Sequence, residues 1–224
     1  MRGMDEPKAV LLDIDGTLID SNDAHAEAWV DVLSSFGYSP RFSEIRRLIG
    51  KGGDKLLPEV TNVESTTTLG KLISEQRTER FLTHYAPRLK PFPRARELLE
   101  RMRDDGYRLV TATSANSDEL ATLLRVIGIE DLIYQRTSSS DAKDSKPDPD
   151  IVKAALERAE CKPERALFLG DTPYDVEAAL KSNVRVVALR SGGWRDEELK
   201  GAERVYASVA ELLENYAASP FASL

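Results

Sequence analysis

The stretch VLLDIDGTLID, Val10 to Asp20, runs from apolar residues straight into two aspartates, Asp13 and Asp15, followed by Gly16 and Thr17. The apolar run Ala9–Asp13 is too short for a helix and reads as a buried strand. Strand side chains alternate, so Asp13 and Asp15 project to the same side at its end. Two carboxylates held close together repel, which raises the apparent pKa of one, and a divalent cation relieves that repulsion. Gly16 allows a sharp exit and lets backbone N–H groups approach a ligand.

Working outward, similar apolar runs recur at Tyr107–Thr113, Leu132–Gln135, Ala166–Leu169 and Val184–Leu189. Helical periodicity fills the gaps. Leu98, Leu99 and Met102 share a face, as do Leu120, Leu123, Leu124 and Ile127, and then Ile151, Val152, Ala155, Leu156 and Ala159. Apolar strands alternating with helices predict an α/β, Rossmann-like fold: a parallel sheet with helices on both faces. Ligands bind such sheets at the carboxyl ends of the strands.

One segment breaks the alternation. From Ser21 to Pro87 only helical patterns occur: Trp29, Val32, Leu33 and Phe36 after a Ser21 or Asn22 cap, then Ile45, Leu48 and Ile49, and last Leu69, Leu72 and Ile73 continuing to Phe81, Leu82 and Tyr85. This predicts an inserted all-helical cap at 21–87 on a core of 1–20 and 88–224, hinged at Leu18–Asn22 and Ala86–Pro93. The tail from Ala217 reads as loosely held.

The chain's 224 residues suit a core domain with a modest insertion. Lys and Arg number 31 against 38 Asp and Glu, a net charge of −7, which argues against nucleic acid as partner. One cysteine, Cys161, permits no intrachain disulfide and suits a reducing cytoplasm. The polar start MRGMDEPK lacks a signal-peptide core, and no apolar run reaches membrane-spanning length, so no membrane partner is expected. The oligomeric state is left open.

The other strand ends also carry polar chemistry. The second delivers Thr113, Ser114, Ala115 and Asn116; Lys146 follows the third; the fourth ends in Gly170-Asp171-Thr172-Pro173-Tyr174-Asp175. Carboxylates collect a hard cation such as Mg²⁺, while the hydroxyl, the lysine and free backbone amides suit a phosphoryl group.

These four segments together resemble the four motifs of the haloacid dehalogenase superfamily: DIDGT at 13–17, Thr113, Lys146, and GDTPYD at 170–175. The helical insertion resembles that family's C1-type cap, in the subgroup with phosphoglycolate phosphatase, sugar phosphatases and β-phosphoglucomutase. The resemblance implies Asp13 as nucleophile, forming an aspartyl-phosphate, and Asp15 as general acid and then base. It implies Mg²⁺ held by Asp13, the Asp15 carbonyl, Asp171 and Asp175, the last directly or through water. Thr113, the Ser114 amide and Lys146 would bind phosphoryl oxygens. The expected activity is a Mg²⁺-dependent phosphatase acting on a small phosphorylated metabolite, phosphoglycolate- or sugar-phosphate-like. A β-phosphoglucomutase-type mutase is the alternative. Haloacid dehalogenase and a non-catalytic binding module rank lower, since Asp15 and every metal acid are present; a phosphonate hydrolase, which would form an imine on a cap lysine such as Lys51 or Lys55, has no positive sign.

In the cap, His25 and Trp29 lie four apart on one helical face, near the rim. H-x-x-A-W at this place resembles β-phosphoglucomutase and related sugar phosphatases, where these residues face the cleft. Trp29 also belongs to the apolar stripe. Gly50, Lys51, Gly52 and Gly53 predict a mobile loop or close backbone approach, with Lys51 meeting a substrate anion; related caps place their specificity loop here. Asn116 is a further candidate at the rim. Asp175 also suits a helix cap, His84 a surface position, Cys161 a structural role, and Ser191–Trp194 the shaping of the rim.

Overall fold

A computed structural model describes residues 6–224. Five short strands, β1 (Lys8–Leu12), β2 (Tyr107–Thr111), β3 (Ala166–Gly170), β4 (Arg185–Leu189) and β5 (Arg204–Tyr206), form one sheet in the order β2-β1-β3-β4-β5. Every pairing is parallel; Val10 stands between Leu109 and Leu167. Central strands with an apolar residue at nearly every position need cover on both faces. Four helices are inserted after β1: α1 (Asn22–Ser35), α2 (Phe42–Leu48), α3 (Gly53–Thr61) and α4 (Thr68–Arg80). Then follow α5 (Ala95–Asp104), α6 (Ser117–Ile127), α7 (Asp150–Ala159), α8 (Pro173–Lys181) and α9 (Val209–Glu214).

The period-two alternation of β1 sorts the core. Val10 and Leu12 pack with Leu98 and Met102 of α5, Leu120 and Leu124 of α6, and Leu212 of α9. Ala9 and Leu11 face the other way, toward Ile151 and Ala155 of α7 and Val176 and Ala179 of α8. Helices α1 to α4 enclose a third apolar cluster of Trp29, Leu33, Ile45, Leu56 and Ile73. Among the described residues no helix is long and apolar enough to cross a membrane.

Several local expectations need correction. Leu132–Gln135 is not a strand: it contributes a single bridge, Val110 with Gln135, and Tyr134 stays 47% exposed. The fifth strand is instead Arg204–Tyr206 at the opposite edge, too short and too polar to announce itself. The tail is not loose. Tyr107 Oη donates to the Phe221 carbonyl at 2.6 Å, and Phe221 is buried beside Tyr216. The stretch after Gly52 is helix α3, although its glycines suggested a loop. In α4 the buried face is Gly70, Ile73 and Arg77, so Leu69 and Leu72 are exposed.

Candidate active site

Asp13 extends β1 by one hydrogen bond, its N–H donating to the Leu169 carbonyl at 2.9 Å, and so stands between the ends of β2 and β3. Lys146 Nζ donates to Asp13 Oδ1 at 2.5 Å and to Asp175 Oδ1 at 2.7 Å, all three side chains being buried. The Thr17 hydroxyl lies 3.0 Å from Asp13 Oδ2 and 2.9 Å from Asp171 Oδ1, with one proton to give to the two. Asn22 Nδ2 donates to Asp171 Oδ2 at 2.9 Å. Asp175 has two duties. Its Oδ2 accepts from the Thr172 N–H and hydroxyl in a capping box that starts α8, which leaves Oδ1 for the cluster.

The acids here outnumber the cations, and burial sharpens the imbalance. Burial raises the Asp171 carboxyl well above its ordinary value, and the neighbouring Asp13 and Asp175 charges raise it further. Burial likewise raises Asp13, the Lys146 ammonium opposing. Asp13, Asp171 and Asp175 each offer a carboxylate oxygen, all within 4.8 Å of one another. A buried all-oxygen set short of positive charge fits a hard divalent cation. The Asp15 carboxylate stands outside this trio.

Asp15 is turned the other way. Its Oδ1 accepts from Ser21 Oγ at 2.6 Å and lies 2.6 Å from His25 Nε2. On the far side of the ring, Arg77 donates to His25 Nδ1 and also pairs with Glu119 of α6. A guanidinium has no lone pair to offer, so Nδ1 must be the acceptor and Nε2 carries the proton. His25 therefore donates to Asp15. Burial alone would raise the Asp15 carboxyl, but His25, Ser21 and Arg77 together bring it below the ordinary carboxylate value. The ring of Phe81 stacks on His25 with centroids 3.9 Å apart, fixing its plane.

A cavity of about 300 Å³ opens between the strand ends and α1 to α4. Asp13, Asp15, Thr113, Ser114, Lys146, His25, Trp29, Gly50, Lys51 and Asn116 all line it; Asp171 and Asp175 sit behind Asp13. Thr113 is buried, with its Oγ1 accepting from the Ala115 N–H at 3.1 Å. Ser114 Oγ donates to the Gly50 carbonyl at 3.2 Å, so the glycine segment rests directly on the core. A Cβ at Gly52 would stand 2.1 Å from Ser145 Oγ, which only glycine avoids. Lys51 does not point free into the cavity: its Nζ lies 2.5 Å from Glu59. Asn116 caps α6 through Oδ1 and donates Nδ2 to Thr78 of α4 at 3.0 Å.

Charged contacts tie the inserted helices to the sheet side. Lys55 bridges Asp144 and Asp148 at 2.9 and 3.0 Å, on the loop that carries Lys146. Arg47 pairs with Glu198 and stacks over the Trp194 ring at 3.6 Å, so the Ser191–Trp194 loop is a docking face as well as a rim.

Sequence reasoning missed Thr17, Ser21, Asn22, Arg77 and Glu119 as members of the site. Arg77 was findable in principle. It falls on the apolar face of α4 with Gly70 and Ile73, and a charge on such a face needs a partner.

The chain matches the model of the haloacid dehalogenase-like hydrolase family over residues 10–189, and it belongs to that family. It is similar to a phosphoglycolate phosphatase of Rhodospirillum rubrum, 30% identical, with 92% of this chain and 89% of the relative aligned. It is also similar to a phosphorylated carbohydrates phosphatase of Thermotoga maritima, 29% identical, over 79% of this chain and 82% of the relative. Among solved structures, a hydrolase from Pseudomonas syringae superposes with a TM-score of 0.87 at 28% identity, covering 94% of this chain and 98% of the other.

Proposed function

We propose that this haloacid dehalogenase-like hydrolase is a Mg²⁺-dependent phosphomonoesterase that works through an aspartyl-phosphate on Asp13, with helices of 21–87 acting as a cap over the core of 1–20 and 88–224. The observation that carries this reading is the division of labour between two neighbouring carboxylates. Asp13 is buried on Lys146 beside Thr113, whereas Asp15 is held apart by His25 and Ser21. One environment suits a nucleophile facing a phosphoryl group, the other a proton carrier.

In this reading Asp13 attacks phosphorus, and the phosphoryl oxygens are received by Thr113, the Ser114 amide and Lys146. Asp15 hands a proton to the leaving oxygen and then takes one from the water that opens the aspartyl-phosphate. Ser21 and His25 both bond Oδ1, so Oδ2 is the atom that carries this proton. Mg²⁺ bound by Asp13, the Asp15 carbonyl, Asp171 and Asp175 would offset negative charge on the transferring group. The inserted helices exclude bulk water and select the leaving group.

A β-phosphoglucomutase-type transfer would need a cap cation for a second phosphate. The two lysines nearest that task are engaged, Lys51 with Glu59 and Lys55 with Asp144 and Asp148. That favours hydrolysis of a small phosphorylated metabolite, phosphoglycolate- or sugar-phosphate-like. A cytoplasmic setting completes the reading and agrees with the free thiol of Cys161.

The test is inorganic phosphate release from a panel of phosphomonoesters, with Mg²⁺ and with chelator, beside Asp13→Asn. Metal-dependent release that vanishes in a folded Asp13→Asn supports the reading. Release that survives the substitution overturns the covalent mechanism.

A further inference from the structure

We infer that the leaving group received by this cavity is an uncharged polyol, as in a sugar or sugar-alcohol monophosphate, and that Glu119 enforces this choice by neutralising Arg77. The inference rests on the phosphomonoesterase reading above and narrows its substrate class.

Away from the strand ends the cavity wall is built by α1, α4 and the first turn of α6, with Trp29, Ser74, Arg77, Thr78, Asn116 and Glu119. Arg77 is the cation of this wall, and it is only 9% exposed. It is already paired with the Glu119 carboxylate, itself 2% exposed, and its other terminal nitrogen donates to His25. A carboxylate or second phosphate entering here would lose its water and meet a neutralised cation together with a like-charged acid. Desolvation without a free counter-charge is unfavourable.

A hydroxyl group meets the opposite situation. The Arg77 guanidinium lines the cavity and carries terminal N–H protons beyond those given to Glu119 and His25, and a hydroxyl oxygen accepts one without needing a counter-charge. Glu119 can accept from a hydroxyl, and Ser74, Thr78 and Asn116 add neutral donors and acceptors along the same wall. The remaining lining cations do not change the balance. Lys51 is bound to Glu59. Lys143 pairs with no carboxylate among the described residues, but it is exposed, where water and salt screen it. A site that hydrogen-bonds hydroxyls discriminates sharply, because an analogue lacking them leaves its buried groups unpaired.

The test measures kcat/KM of the full chain with Mg²⁺ on p-nitrophenyl phosphate, on hexose, pentose and glycerol phosphates, and on phosphoglycolate. The aryl ester reports the phosphatase chemistry without asking the wall to recognise anything. The expected result is a preference for the polyol esters over phosphoglycolate of about tenfold or more. Glu119→Gln frees the Arg77 charge while keeping a side-chain oxygen for the Asn116 N–H, and it should move the glycolate-to-sugar ratio toward glycolate by about tenfold. Reading the ratio within each protein cancels any general loss of activity. Glu119→Asp, which keeps the charge, should retain the original preference. Should Glu119→Gln fail to melt cooperatively, Arg77→Gln serves in its place and should make the preference against glycolate steeper. Hydrolysis of the aryl ester with phosphoglycolate preferred, or an unmoved ratio in the folded variants, overturns the polyol assignment alone. No hydrolysis of the aryl ester overturns the phosphatase reading, and this inference with it.

Discussion

The imidazole of His25 and the carboxylate of Asp15 meet at 2.6 Å, and the direction of that bond is fixed from behind by Arg77, which can only donate to the ring. Asp15 is thereby held at one oxygen while the other stays available. Its job is separable from that of Asp13, and the two should fail differently.

Asp15→Asn should still accept a phosphoryl group from p-nitrophenyl phosphate, because that leaving group departs without a proton. It should then stall for want of a base. Rapid mixing should show a burst of nitrophenolate near one per enzyme, followed by a steady rate lower by about 10²-fold or more. A steady rate near that of the wild type, with no burst, would remove Asp15 from the second step.

His25→Ala leaves Asp15 tethered by Ser21 alone and unstacks Phe81. A positioning loss should lower kcat by roughly tenfold to a hundredfold with little change in KM, since Thr113 and Lys146, the proposed phosphoryl ligands, are untouched. A change confined to KM would mean that His25 contacts the substrate instead.

Gly52→Ala introduces a Cβ 2.1 Å from Ser145 Oγ, where the glycine segment lies against the core. The segment must lift, taking α3 with it. kcat/KM should fall by about tenfold or more while the melting temperature drops only slightly. Unchanged kinetics would show that this approach is not needed for turnover.

Acid should loosen the same contact. The hydrogen bond from Arg47 holds Glu198 down at about 2, and the one from Lys55 keeps Asp148 below its ordinary value. Carboxyls depressed in the folded state stabilise it above their unfolded values and lose that contribution as pH falls through the folded ones. Protease sensitivity of residues 81–93 should therefore stay constant from about pH 8 to 5 and rise only below about 4.

Mg²⁺ should raise the melting temperature, because it relieves the repulsion among Asp13, Asp171 and Asp175. Asp171→Asn should melt higher than wild type in chelator and lose most of the Mg²⁺ response. An equal response in both would place the metal elsewhere.

The cluster of polar residues at the strand ends was legible in the sequence because it is local. Asp13 and Asp15, Thr113, and Asp171 and Asp175 each follow a short apolar strand that periodicity can find, and Lys146 came with them through its motif. Arg77 and Glu119 were not legible. They lie 42 residues apart on helices from different parts of the chain, and only the packing of α4 over α6 makes them a pair. The same holds at the sheet edges. Arg204–Tyr206 and Leu132–Gln135 are both too short for a pattern, and backbone pairing alone decides which becomes a strand. Lys51 shows the limit from the other side: beside glycines it suggested a substrate anion, and it does line the cavity, but its partner Glu59 in α3 could not be foreseen from the loop.

The most direct test of the covalent mechanism is the mass of the acid-quenched enzyme during turnover of p-nitrophenyl phosphate by Asp15→Asn, with peptide mapping of any added phosphoryl group. One phosphoryl group on the peptide that carries Asp13, absent when Asp13→Asn is combined with it, is the predicted result. An unmodified protein during active turnover, or a phosphoryl group on another residue, would contradict it.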